Sequence, residues 1–147
     1  MTRGTSVDDL HWPDEDVAWQ AVFDAGPAWS VPHGVHVFVF NDVEALQRAC
    51  EDPLAGGHSI TYDEPDAAGV GAVIMLARPV TLSVIIHEVT HVALFWSRPT
   101  VTPGQRARAF LNSHGEDIPE LIGNLSAGLW YSLPKEHLDG ALEGTLS

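Results

Sequence analysis

Apolar and polar positions alternate along the chain in short blocks that predict an interleaving of helices and strands. After Pro13, Val17, Ala18, Ala21, Val22 and Ala25 recur at helical spacing, which predicts a helix over 14–25, stopped by Gly26-Pro27. Trp12, Trp19 and Trp29 fall in or beside this segment and are expected to cluster as packing residues. Val35, Val37 and Val39 alternate with His36, Phe38 and Phe40, the pattern of a strand buried on both faces. His36 is expected there as a half-buried histidine with a satisfied ring. Asn41 or Asp42 caps a helix to about Glu51, with Val43, Leu46, Ala49 and Cys50 inward and Asp52-Pro53 ending it. Cys50 is then a small core residue. Past Gly56-Gly57 a strand is expected over 58–63. A stronger one follows over 70–77, where Val70, Ala72, Ile74 and Leu76 face one way and Val73 and Met75 the other.

Arg78-Pro79 breaks that strand, and Thr81 is placed to cap the most apolar helix of the chain, 82–96, which Ser97-Arg98-Pro99 ends. A short helix is expected over 105–112. The last helix runs over about 119–133, with Leu121, Ile122, Leu125, Leu129 and Leu133 on one side. Pro134 ends it, and little in the acidic tail to Ser147 is expected to hold that tail in place. No internal repeat or second-domain boundary interrupts the pattern. The expectation is one domain, 1–147, with its core at about 35–133 and flexible segments at 1–12 and 135–147.

Composition narrows the function. Twenty acidic residues against seven basic give a net charge of −13, which disfavours a nucleic-acid partner held by phosphate neutralisation. No stretch approaches the roughly 20 apolar residues of a membrane span. The first residues lack the basic-then-apolar pattern of a signal peptide, and a single cysteine excludes an intrachain disulfide. Together these features lead us to expect a cytoplasmic protein without a membrane partner.

Within the central helix stands His87-Glu88-Val89-Thr90-His91. Histidines four apart on a helix share a face, so both imidazoles can reach one metal ion. Glu88 projects about 100° away, beside rather than on the metal. H-E-x-x-H on a helix is an established signature of two zinc ligands with the glutamate as general base. A third ligand is expected downstream, and Glu116 and Glu120 are the candidates. In helical conformation they share a face that Asn124 and Tyr131 extend. Ligation by His87, His91 and Glu116 leaves the fourth position to water, as in catalytic sites, whereas structural zinc sites usually use four protein ligands, mostly cysteines. Glu120 is then a hydrogen-bond acceptor for a ligating imidazole, or exchanges roles with Glu116. Pro119 sits between them, so a regular helix through both is not assured. The alternative for the acidic pair needs no metal: Asp117 and Glu120 have the spacing of a capping box and suit a helix N-terminus.

On these residues the chain resembles the zincin metallopeptidases, and within them the gluzincins, which pair H-E-x-x-H with a downstream glutamate. Thermolysin-like members carry E-x-x-x-D on the ligand helix; here Glu116-Asp117-Ile118-Pro119-Glu120 has glutamate in the final place. The layout over about 35–131 is also similar to small single-domain H-E-x-x-H proteins of actinobacteria and their phages. The resemblance implies an α+β domain with a minimal zincin-like fold, a small mixed sheet packed on the H-E-x-x-H helix and a C-terminal glutamate-bearing helix. The expected function is a zinc-dependent peptidase acting on a peptide or protein, with Glu88 as base. The strand over 70–77 is expected to be an edge to which an extended peptide adds. His114, Tyr131 and Tyr62 are candidate oxyanion stabilisers. The competing expectations are a non-catalytic zinc-binding module that acts through a protein partner, and a metal-free domain carrying the motif by chance.

Overall fold

A computed structural model describes residues 12–24, 34–66, 68–96 and 117–139. It is an α+β structure built on a four-stranded mixed sheet: β1 (Val17–Asp24), β2 (Gly34–Phe40), β3 (His58–Thr61) and β4 (Val70–Ala77). The helices are α1 (Val43–Cys50), α2 (Leu82–Trp96) and α3 (Asp117–Ser132). In space the strands run β1-β2-β4-β3. The central pair, β2 and β4, is parallel, and each outer strand is antiparallel to its neighbour.

Alternation on the two inner strands sends side chains to two separate cores. Val35, Val37, Val39, Ala72, Ile74 and Leu76 point to one face, where Ile85, Val89 and Val92 of α2 and Leu125, Leu129 and Leu133 close over them. Phe38, Phe40, Val73, Met75 and Ala77 point to the other face, against Ala45, Leu46 and Cys50 of α1. The burial of both faces accounts for the near-continuous apolar runs of β2 and β4. Cys50 is a small residue within the second core.

Several local expectations change. The helix over 14–25 is replaced by a short 3-10 turn, Asp14–Asp16, and by β1. Trp19, Ala21 and Phe23 pair with Val39, Val37 and Val35, while Gln20, Val22 and Asp24 are exposed. The same residues fit a period of 3.6 or of 2; the open edge of β2, which supplies ladder partners, selects the second. Trp12 and Trp19 consequently do not cluster. Trp12 packs edge-on against Phe38 and Phe40 on the α1 side, and Trp19 joins the opposite core; Trp29 lies outside the described residues. Val43 was expected inward but is 38% exposed, because the buried stripe of α1 runs through Ala45, Leu46 and Cys50. The Asp42 cap holds: its carboxylate accepts from the Ala45 N–H at 2.8 Å. The helix expected over 105–112 lies outside the described residues.

Packing also reaches beyond 35–133 at both ends. β1 is part of the sheet, and the chain after Pro134 pairs with Val80, just beyond β4. The Val80 N–H donates to the His137 carbonyl at 2.8 Å, and the Asp139 N–H donates to the Val80 carbonyl at 2.9 Å. Residues 135–139 are thus anchored rather than flexible. α3 is described from Asp117 and includes Pro119. Gly69, at φ 85°, supplies the left-handed turn before β4, and Asp66 accepts from the Val70 N–H at 2.9 Å across it.

His36 is the half-buried histidine expected. Its Nε2 bonds Gln20 Oε1 at 2.9 Å and its ring stacks on Phe38 with centroids 4.1 Å apart. Burial lowers its pKa below the ordinary 6.5, against an opposing pull from Asp66. Between the lowered folded value and 6.5 the unfolded chain therefore holds more protons than the folded one. The stability contributed by neutral His36 is complete above about pH 6.5 and is lost as pH falls through its folded value. Urea unfolding of wild type and His36→Gln between pH 5 and 8 tests this: the wild type should lose more stability on acidification, and parallel curves would contradict it.

Candidate functional site

α2 lies across the sheet with Ile85, Val89 and Val92 packed into the core. Glu88 shares that buried side, being only 4% exposed, whereas His87 and His91 stand on the outer side of the helix. Thr81 starts α2, its hydroxyl accepting from the Val84 N–H at 3.2 Å. No proline or glycine interrupts the helix, so the four-residue spacing of the histidines becomes spatial proximity.

The two imidazoles converge. Their Nε2 atoms are 3.2 Å apart, and the rings meet edge-on with centroids 4.8 Å apart. Two nitrogens each about 2.0–2.1 Å from one ion at the tetrahedral angle lie roughly 3.3–3.4 Å apart, so the pair fits two ligands of one zinc. The Glu88 Oε2 is 3.9 Å from the His87 Nε2, too far for a hydrogen bond. Burial raises the Glu88 pKa above the ordinary 4.5; His87, His91 and a hydrogen bond from the Ser59 hydroxyl pull it the other way.

Ser59 and Gly57 are the site residues that sequence reasoning missed. Ser59 lies opposite Ile74 in the β3–β4 ladder, which turns its side chain to the α2 side of the sheet. Gly57, just before β3, lies directly against Glu88. A Gly-Gly pair ahead of a short strand was visible, but nothing in its spacing linked it to a helix thirty residues away.

The remaining candidates are distributed as follows. Glu120 is on α3, exposed, and has no hydrogen bond or ion pair to either histidine. Tyr131 is 85% exposed near the far end of α3. Tyr62 belongs to the core on the α1 side of the sheet, opposite the histidines, which removes it as an oxyanion stabiliser. Glu116 and His114 lie outside the described residues. Among the described residues no group of three His, Cys, Asp or Glu side chains gathers as a metal cage, so the structure contributes the histidine pair and Glu88 and no third donor. The strand over 70–77 is not an edge: β4 is flanked by β2 and β3, and β3 is the outer strand on the Glu88 side.

Among the described residues no helix is long and apolar enough to cross a membrane. No family model matches the chain, and comparison with curated proteins and with solved structures finds no match to either.

Proposed function

We propose that this chain is a zinc-dependent metallohydrolase of zincin-like, gluzincin-type architecture, working in the cytoplasm on peptide or protein substrates. The observation that carries the reading is the approach of the His87 and His91 Nε2 atoms to 3.2 Å with the Glu88 carboxylate beside them. His87 and His91 are two ligands, and Glu116 is the third. Glu120 is the alternative ligand, or the acceptor that orients a ligating imidazole. When bound, zinc supplies Lewis acidity, which acidifies water and polarises a carbonyl.

The protein's own groups do the rest. Glu88 accepts a proton from water at its carboxylate and delivers it to the leaving amine. An extended peptide pairs with β3, which has β4 on one side and no strand on the other among the described residues. His114 and Tyr131 are the candidates for stabilising the oxyanion. The net charge of −13 argues against a nucleic-acid substrate.

A second reading, a zinc-binding module that acts through a protein partner, draws on the exposed Ile86 and Leu94, which share the outer side of α2 with the histidines. Incubating the zinc-loaded protein with a mixed peptide library separates the two. New termini that vanish with chelator and return with zinc support the hydrolase; a zinc-bound protein that leaves the library intact is the module.

A further inference from the structure

Glu88 has a role in the proposed reaction, but a glutamate on a helix has three rotatable bonds and does not fix its own carboxylate. The turn between α1 and β3 is built to fix it. Gln47 Nε2 donates to the Ala55 carbonyl at 3.1 Å, the Ala55 N–H donates to the Asp52 carbonyl at 3.2 Å, and the Leu54 N–H donates to Asp52 Oδ1 at 3.0 Å. Ala55 is itself buried. This anchored turn delivers Gly57 to α2. A Cβ at Gly57 would stand 2.9 Å from the Glu88 Oε2, 3.2 Å from its Cγ and 2.8 Å from the Val84 Cγ2. At Gly56 a Cβ would meet nothing within 4 Å.

We infer that Gly57 is a positioning residue: its bare backbone, just ahead of β3, forms the wall against which the Glu88 carboxylate is seated. Any side chain at 57 takes the space that the carboxylate occupies. Both contacts under 3.0 Å must be relieved: the flexible end of Glu88 swings away from the new Cβ, and the stiffer Val84 side chain gives way by a small shift of its turn of α2. The catalytic consequence rests on the reading of Glu88 as general base; the contact itself needs no metal.

The test compares Gly57→Ala with Gly56→Ala in full-length protein carrying 13C-labelled glutamate. In metal-free protein at one fixed pH, Gly57→Ala should move the Glu88 carboxyl-carbon resonance, and Gly56→Ala should leave it in place. In zinc-loaded protein, Gly57→Ala should retain its zinc and lower kcat about 10–100-fold with KM nearly unchanged, as expected for a misplaced reacting group. Should Gly57→Ala fail to fold, Val84→Ala in the same chain removes the contacted methyl and admits the new Cβ. An unmoved Glu88 resonance overturns the inference, as does a moved resonance with an unchanged kcat. A zinc-loaded wild type that hydrolyses nothing overturns the base role and its catalytic consequence alone, and the resonance then decides whether Gly57 seats Glu88.

Discussion

Glu88→Gln is expected to lower peptide hydrolysis by about 10²–10⁴-fold while leaving zinc content and fold intact. Gln has the same shape and keeps a hydrogen-bonding end for Ser59, but it cannot accept and return a proton. The structural reason to expect such selectivity is burial. Glu88 is 4% exposed on the packed side of α2, where a carboxylate costs stability unless it is compensated, and burial raises its pKa. A buried acid with a raised pKa beside two histidines is the kind of group that functional sites keep at a cost to the fold. The measurement is kcat and KM on a peptide cleaved by the wild type, with zinc content determined on the same samples. Unchanged hydrolysis in Glu88→Gln would remove the general base from the account and favour the binding module.

Ile74→Ala is expected to destabilise the protein by about 2–5 kcal/mol. Ile74 is fully buried at the centre of β4, in the core where α2 and α3 rest on the sheet. It also lies across from Ser59, so the same strand supports the core and faces Glu88 through its neighbour. Truncation leaves a cavity under α2 that the stiff Val37 on the neighbouring strand fills poorly. A fall in Tm on the order of 10 °C corresponds to that loss for a domain of this size. Thermal unfolding of metal-free wild type and variant measures it, and a drop of under about 1 kcal/mol would mean that the core is not organised through this residue.

Much of this arrangement was legible because local pattern and tertiary need agreed. Val35, Val37 and Val39 against Phe38 and Phe40 signalled a doubly buried strand, and β2 is one. The unbroken run to Trp96 placed the two histidines on one helical face, and they meet there. The segment 14–24 is a 3-10 turn and a strand rather than the expected helix because Val17, Ala18, Ala21 and Val22 satisfy a helix as well as a strand, and the deciding partner is another strand that the segment cannot announce. The order of strands was equally hidden. β4 has the stronger pattern and was expected at the edge, yet a fully apolar strand is better accommodated in the interior; the short β3, with Ser59 and Thr61 facing α2, is the outer strand. The seat for Glu88 could not be read at all, since it depends on a turn folded against a helix far along the chain.

The central claim is that His87 and His91 hold a metal ion, and metal content per chain tests it most directly. Elemental analysis of purified wild type, His87→Ala and Glu116→Ala, each shown to be folded, should find about one zinc per wild-type chain and none in His87→Ala, with Glu116→Ala also losing the ion. Loss in His87→Ala alone would move the third ligand to Glu120 or another group. A folded wild type that takes up no zinc even when zinc is supplied would contradict the account.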